Sequence, residues 1–95
     1  MNTAYMKTIH LLIKGKVQGV FYRASAKKVA KELLLNGWVK NTDDGNVESI
    51  VSGESEAVDE FIEWCKKGPE LAAVTEVIVS PSGHNILETF KIIRC

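Results

Sequence analysis

Gly15-Lys16-Val17-Gln18-Gly19-Val20-Phe21-Tyr22-Arg23 lies between an apolar run, Ile9 to Ile13, and a segment whose apolar residues recur at helical spacing, Ala24 to Leu34. The stretch therefore reads as a glycine-containing turn from a strand into a helix. Such a turn is a natural anion site. The first backbone N–H groups of a helix have no intrahelical partner and carry the positive end of its dipole. Soluble helices commonly cover those donors with Ser, Thr, Asp or Asn. Val20, Phe21 and Tyr22 have no side-chain acceptor suited to that task, so the donors are expected to stay open, with Arg23 beside them.

Outward from the turn, Ile9, Leu11 and Ile13 alternate with Thr8, His10 and Lys14, the pattern of a strand over Lys7–Lys14 with one buried face. On this reading Met1 to Met6 is a loose end and His10 faces outward. Tyr22, Ala26, Val29, Ala30 and Leu33 make one apolar helical stripe. Asn36-Gly37 is expected to end that helix, and Trp38 to Asn41 to form a strand. Asp43-Asp44-Gly45-Asn46 is turn chemistry, and Val47 to Ser52 returns as the second arm of a hairpin. Val39 and Asn41 share a face, so one can anchor in the core while the other emerges at the strand's end.

Ser55 is the expected N-cap of a second helix, with Val58, Phe61, Ile62 and Cys65 as its buried stripe, Trp64 at its margin and Gly68-Pro69 as its stop. Ala73 to Val79 suggests another strand, Pro81-Ser82-Gly83 a turn, and Phe90 to Ile93 a last extended segment. The order is strand, helix, strand, strand, helix, strand, with an additional edge strand left open. Crossover handedness and a two-layer core make this an α+β, ferredoxin-like βαββαβ sandwich: an antiparallel sheet with both helices on one face. Which of the last two extended segments takes the outer position stays open.

The 95 residues give room for one domain, 1–95, with ordinary shares of hydrophobic (45%) and charged (25%) residues. Without an apolar run of spanning length or a leader-like start, the chain is expected to be cytoplasmic and free of membrane. Net charge is zero, but residues 1–40 hold eight bases against one acid, Glu32. That asymmetry favours a small anion near the loop. A long nucleic acid would meet the acidic remainder, so no nucleic-acid partner is expected. Cys65 sits on an apolar helical face as a small hydrophobe, Cys95 is a free thiol, and neither forms a metal-type pair by spacing. The loop lacks the Gly-Lys-Ser/Thr ending of a nucleotide-binding loop, and His10 and His84 have no evident triad partners. No metal site and no cofactor is expected.

A second motif follows one helix after the first: Gly37-Trp38-Val39-Lys40-Asn41-Thr42-Asp43-Asp44-Gly45-Asn46-Val47-Glu48. The glycine loop ending in arginine, together with this Gly-aromatic-Val-basic-Asn run and its Asp-Gly-x-Val-Glu sequel, closely resembles the paired motifs of the acylphosphatase family. The similarity continues to Gly53, Gly68-Pro69 and Phe90-Lys91-Ile92. It implies a free-standing, monomeric enzyme hydrolysing small acyl phosphates to carboxylate and inorganic phosphate, with phosphate or sulfate as competing anions. It further implies that Arg23 and the backbone N–H groups of Gln18, Gly19, Val20, Phe21 and Tyr22 hold the phosphoryl group, and that Asn41 holds the attacking water.

The chemistry is consistent with these residue types. The leaving group is a carboxylate whose conjugate acid has a pKa of roughly 4 to 5, so no general acid is needed, and orientation with charge stabilisation suffices. Lys16 and Lys40 are open to a steering role or to plain solvation, Thr42 to holding the asparagine strand or to the turn alone; Asp43 and Asp44 read as turn formers. Two other classes remain in view: a non-catalytic phosphate- or RNA-binding ferredoxin-like module, and a domain handling carbamoyl phosphate within a larger machine.

Overall fold

The computed structural model describes residues 5–83 and 89–94. The elements run β1 (Met6–Lys16), α1 (Tyr22–Glu32), β2 (Asn36–Asn41), β3 (Val47–Glu54), α2 (Ser55–Lys67), β4 (Ala73–Pro81) and β5 (Phe90–Ile93). They build a five-stranded sheet in the order β4-β1-β3-β2-β5. The first four strands form the expected antiparallel ferredoxin-like sheet, β1 pairing with both β3 and β4, and β2 with β3.

The fifth strand corrects the expectation of an antiparallel sheet throughout. β5 pairs with β2 in parallel, Gly37 opposite Phe90 and Lys40 opposite Ile93, so the two late segments occupy opposite edges. The core rewards this placement: Phe90 is 2% exposed, with its ring centroid 5.9 Å from that of Phe61. Burying such a side chain is worth ~1.5–3 kcal/mol. A further consequence is directional. β1 and β2 both run antiparallel to β3, and β5 runs with β2, so the C-terminal ends of β1, β2 and β5 meet at one end of the sheet.

Strand alternation sends Ile9, Leu11 and Ile13 of β1 to the same face as Val39 of β2 and Val47 and Val51 of β3. Both helices cover that face. Tyr22, Ala26 and Ala30 of α1 and Val58, Phe61 and Cys65 of α2 join those strand residues in one cluster. The Tyr22 hydroxyl donates to the carbonyl of Cys65 at 2.7 Å, tying the first turn of α1 to the last turns of α2, and the Trp64 ring lies 5.3 Å from that of Tyr22. Burial pushes the Cys65 thiol up to about 12, so it stays a neutral hydrophobe.

Several element ends differ from the sequence reading. β1 begins at Met6, paired with Glu54, and the Tyr5 carbonyl accepts the Ser55 N–H at 2.6 Å. Residues 1–4 of the expected loose end lie outside the described residues. Because that bond occupies the first free donor of α2, Ser55 enters the helix itself and the N-cap is Glu54, without a side-chain cap bond. Gly15 and Lys16 belong to β1, where the pairing with β4 shifts register between Lys14 and Gly15. Gly15 has φ 125°, and a Cβ there would lie 2.2 Å from the Ala73 carbonyl oxygen, so only glycine fits this bulge.

The first helix ends before Asn36-Gly37, which are already in β2. The Leu34 N–H donates to Lys31 O at 3.1 Å and the Leu35 N–H to Ala30 O at 2.9 Å, the paired bonds of a Schellman closure. Its left-handed position is Leu34 (φ 60°), whose side chain is 87% exposed, while Leu35 is buried. The left-handed position thus carries a penalty that its side chain does not recover by burial. Leu34→Gly is expected to raise stability by about 0.5–1 kcal/mol. Thermal and urea midpoints would both move up; a lower midpoint would show that Leu34 contributes packing that outweighs its backbone conformation.

Candidate active site

The loop between β1 and α1 is pinned by two buried valines. Val17 and Val20 are 1% and 4% exposed, and between them Gly19 takes φ 73°, turning the backbone where a Cβ would be strained. Phe21 then stands outside, 74% exposed, as a left-handed N-cap (φ 65°, ψ 23°) with no side-chain cap bond. Its carbonyl accepts the Ser25 N–H at 3.1 Å, starting the helix. None of the backbone N–H groups from Gln18 to Tyr22 donates to a described residue. The strained aromatic at the helix entrance leaves these donors open to the outside.

Arg23 follows in the first turn of α1, and Asn41 closes β2 on the helix-covered face, opposite Val47. Both line a cleft of about 310 Å³ together with Val17, Gly19, Phe21, Tyr22, Ala24, Ile92 and Arg94. An adjoining recess is shared by Arg23, Asn41, Arg94, Thr42, Asp43 and Ile93. The structure thus brings Arg23, Asn41 and the loop residues Gly19, Phe21 and Tyr22 to one opening. Val20 and Gln18 do not line it: the Val20 side chain is core, and the Gln18 side chain turns away to the β2–β3 hairpin.

Asn41 Oδ1 is buried and has no hydrogen-bond partner among the described residues. An acceptor in that condition costs about 1–3 kcal/mol unless a donor reaches it. Behind it the hairpin is tightly closed: Thr42 N–H donates to Asn46 O at 2.9 Å, Asn46 N–H to Thr42 Oγ1 at 3.0 Å, and Thr42 Oγ1 to the Asp44 carboxylate. That last bond holds the Asp44 carboxyl below its usual range. Asp44 is therefore a turn former, and Thr42 holds the asparagine strand's end as well as the turn.

Lys40 falls on the opposite face of the sheet from Asn41. Its ammonium lies 5.3 Å from the Trp38 ring centroid and 3.7 Å from Glu48 Oε1, and His10 Nε2 meets Glu48 Oε2 at 2.7 Å on that face. Neither reaches the cleft. His84 and Cys95 lie outside the described residues, and no group of three or more His, Cys, Asp or Glu able to hold a metal occurs among those described.

Arg94 is the residue that sequence reading missed. It follows β5, and the parallel pairing of β5 with β2 delivers it beside Asn41. The available signal was a cation immediately after the apolar Ile92-Ile93, at a strand end whose neighbour was unknown. No described helix is long and apolar enough to cross a membrane.

Fold and cleft together define an α+β domain of ferredoxin-like topology with a loop of open backbone N–H groups, two arginines and a buried amide oxygen at one end of its sheet. The acylphosphatase family model matches residues 9–92. An acylphosphatase of Methylococcus capsulatus is 54% identical over 70 residues, covering 74% of this chain and 76% of the relative. The structure of an acylphosphatase from Coxiella burnetii superposes with a TM-score of 0.91 at 38% identity, over 98% of this chain and 100% of that one. Full-length HypF in its phosphate- and nucleotide-bound form also aligns, with a TM-score of 0.85 at 25% identity, but this chain covers 12% of it. This chain belongs to the acylphosphatase family.

Proposed function

We propose that this chain hydrolyses the carboxyl–phosphate bond of acyl phosphates, with Arg23 and the open loop amides holding the phosphoryl group and Asn41 orienting water. The observation that carries this reading is the buried, unpartnered Asn41 Oδ1 in the cleft that Arg23 lines. A water donating one hydrogen to Oδ1 is held with a lone pair free to face phosphorus. An amide is no base at neutral pH, so the water's second proton passes to a phosphoryl oxygen. The P–O bond to the acyl group breaks, and its electron pair leaves on a carboxylate stable enough to need no proton. The acyl phosphate dianion and water thus become a carboxylate and dihydrogen phosphate.

The donors of the loop and the guanidinium stabilise charge on the phosphoryl oxygens as the bond loosens. Arg94 adds a second cation at the same opening, a natural clamp for the phosphoryl or acyl oxygens. The lining residues all belong to one ferredoxin-like domain, and the chain is proposed to act as a monomer. Inorganic phosphate and sulfate are expected to compete for the cradle.

The leaving-group argument makes a first test decisive. Purified protein in excess EDTA is expected to release phosphate from acetyl or benzoyl phosphate at the rate seen without chelator. Simple alkyl phosphate monoesters, whose alkoxide leaving groups need protonation, turn over far more slowly. Loss of activity in EDTA, restored by a divalent ion, would sink the metal-independent mechanism.

A further inference from the structure

Gln18 contributes its backbone to the anion loop, but its side chain crosses to the hairpin that follows Asn41. Nε2 donates to the Thr42 carbonyl oxygen at 2.8 Å and to the Asn46 carbonyl oxygen at 2.8 Å. A side-chain amide has two N–H groups, and each finds one acceptor. Those acceptors sit at the two ends of the turn that closes the hairpin, the first of them one residue beyond Asn41. On the loop side the buried Val17 and Val20 bracket Gln18, so its backbone is fixed to the core. One side chain therefore spans from the phosphate loop to the strand end that presents Asn41.

We propose that Gln18 is a positioning residue, which sets where the Asn41 amide stands relative to the loop amides and Arg23. This rests on the water-orienting role of Asn41 argued above. Asn41 is the last residue of β2 and precedes an exposed turn, whose own hydrogen bonds close the hairpin but do not fix its distance from the loop. Misplacement by about 1 Å can cost a reaction ~10²-fold even when every reacting group is present. Stability is less exposed to the loss, because both carbonyls keep another donor: Gly45 N–H reaches Thr42 O at 3.3 Å and Thr42 N–H reaches Asn46 O at 2.9 Å. Removing the clamp orphans neither. It frees the geometry.

Two substitutions separate length from donors. Gln18→Met keeps the side chain's length and removes both N–H groups; Gln18→Asn keeps the amide but is one methylene too short to reach both carbonyls. Each is made in the wild type and in Asn41→Ala, and kcat, KM for benzoyl phosphate, inhibition by inorganic phosphate and the thermal midpoint are measured. In the wild-type background either substitution is expected to lower kcat about 10-fold or more, with phosphate inhibition nearly unchanged. In the Asn41→Ala background the same substitutions should change kcat less than about twofold, the non-additivity of residues acting through one another.

Equal fold-losses in the two backgrounds would overturn the proposal, as would weaker phosphate inhibition with unchanged kcat, which would place Gln18's effect on the anion cradle. A lower thermal midpoint with unchanged kcat would reduce Gln18 to a structural tie and overturn it too. If Asn41→Ala alone leaves kcat at the wild-type value, the water-orienting reading fails and this proposal falls with it. A normal Asn41→Ala defect with additive Gln18 effects refutes the positioning role alone.

Discussion

Arg23→Ala is expected to lower kcat/KM by about 10³-fold, the lower range for arginines that stabilise a transferring phosphoryl group. The guanidinium stands at the entrance of α1, beside N–H groups that no described residue occupies, so it adds a full charge to the partial charges of the helix end. The same loss should be visible without turnover. Phosphate at 100 times its dissociation constant stabilises the folded chain by about 2.7 kcal/mol, and the accompanying rise in thermal midpoint should shrink in Arg23→Ala at fixed phosphate. Arg23→Lys should recover little of either effect, since an ammonium cannot present two coplanar donors to two oxygens. Wild-type turnover and anion stabilisation in Arg23→Lys would mean that charge alone matters and that fork geometry does not.

Asn41→Ala is expected to lower kcat by about 10²-fold or more, by analogy with removal of one preorganised polar group, while phosphate still competes because Arg23 and the loop remain. Asn41→Asp discriminates between mechanisms. It preserves size and an acceptor, removes the amide donors and sets a negative charge opposite a phosphoryl group. If the residue orients water, the aspartate variant is severely impaired by repulsion. If the position belongs to a general base, the variant is active and its rate falls on an acidic limb as the carboxylate is protonated. A near-wild-type Asn41→Asp, or an Asn41→Ala whose whole defect lies in KM, would refute the orienting role.

The positions of Arg23 and Asn41 are legible in the sequence because both sit in locally determined settings, while the roles expected of them come from the resemblance to the acylphosphatase motifs. At the helix entrance Val20, Phe21 and Tyr22 offer no side-chain acceptor for the open N–H groups, and the parity of Val39 and Asn41 follows from the two-residue repeat of a strand. The structure keeps both features: Val39 is fully buried and Asn41 faces the helix-covered side beside Arg23. Lys40, adjacent in sequence to Asn41, is carried to the far face by the same repeat, where Glu48 and Trp38 engage it.

Local signals therefore determined the element order, the ferredoxin-like class, the open helix end and the face on which each strand residue stands. Tertiary structure alone decided which strand ends are neighbours. A period-two pattern specifies a strand's buried face but not the strand it pairs with or the direction of that pairing. The parallel placement of β5 on β2 brings Arg94 into the cleft, although that residue stands more than fifty positions after Asn41. The reach of Gln18 to the Thr42 and Asn46 carbonyls is likewise a meeting of distant segments. Helix α1 ends at Glu32 and is closed by the left-handed Leu34, ahead of Asn36-Gly37, because Leu35 is drawn into the core that both helices share. Such contacts depend on free energy gained by the assembled sheet and helices together, which no short stretch of the chain expresses on its own.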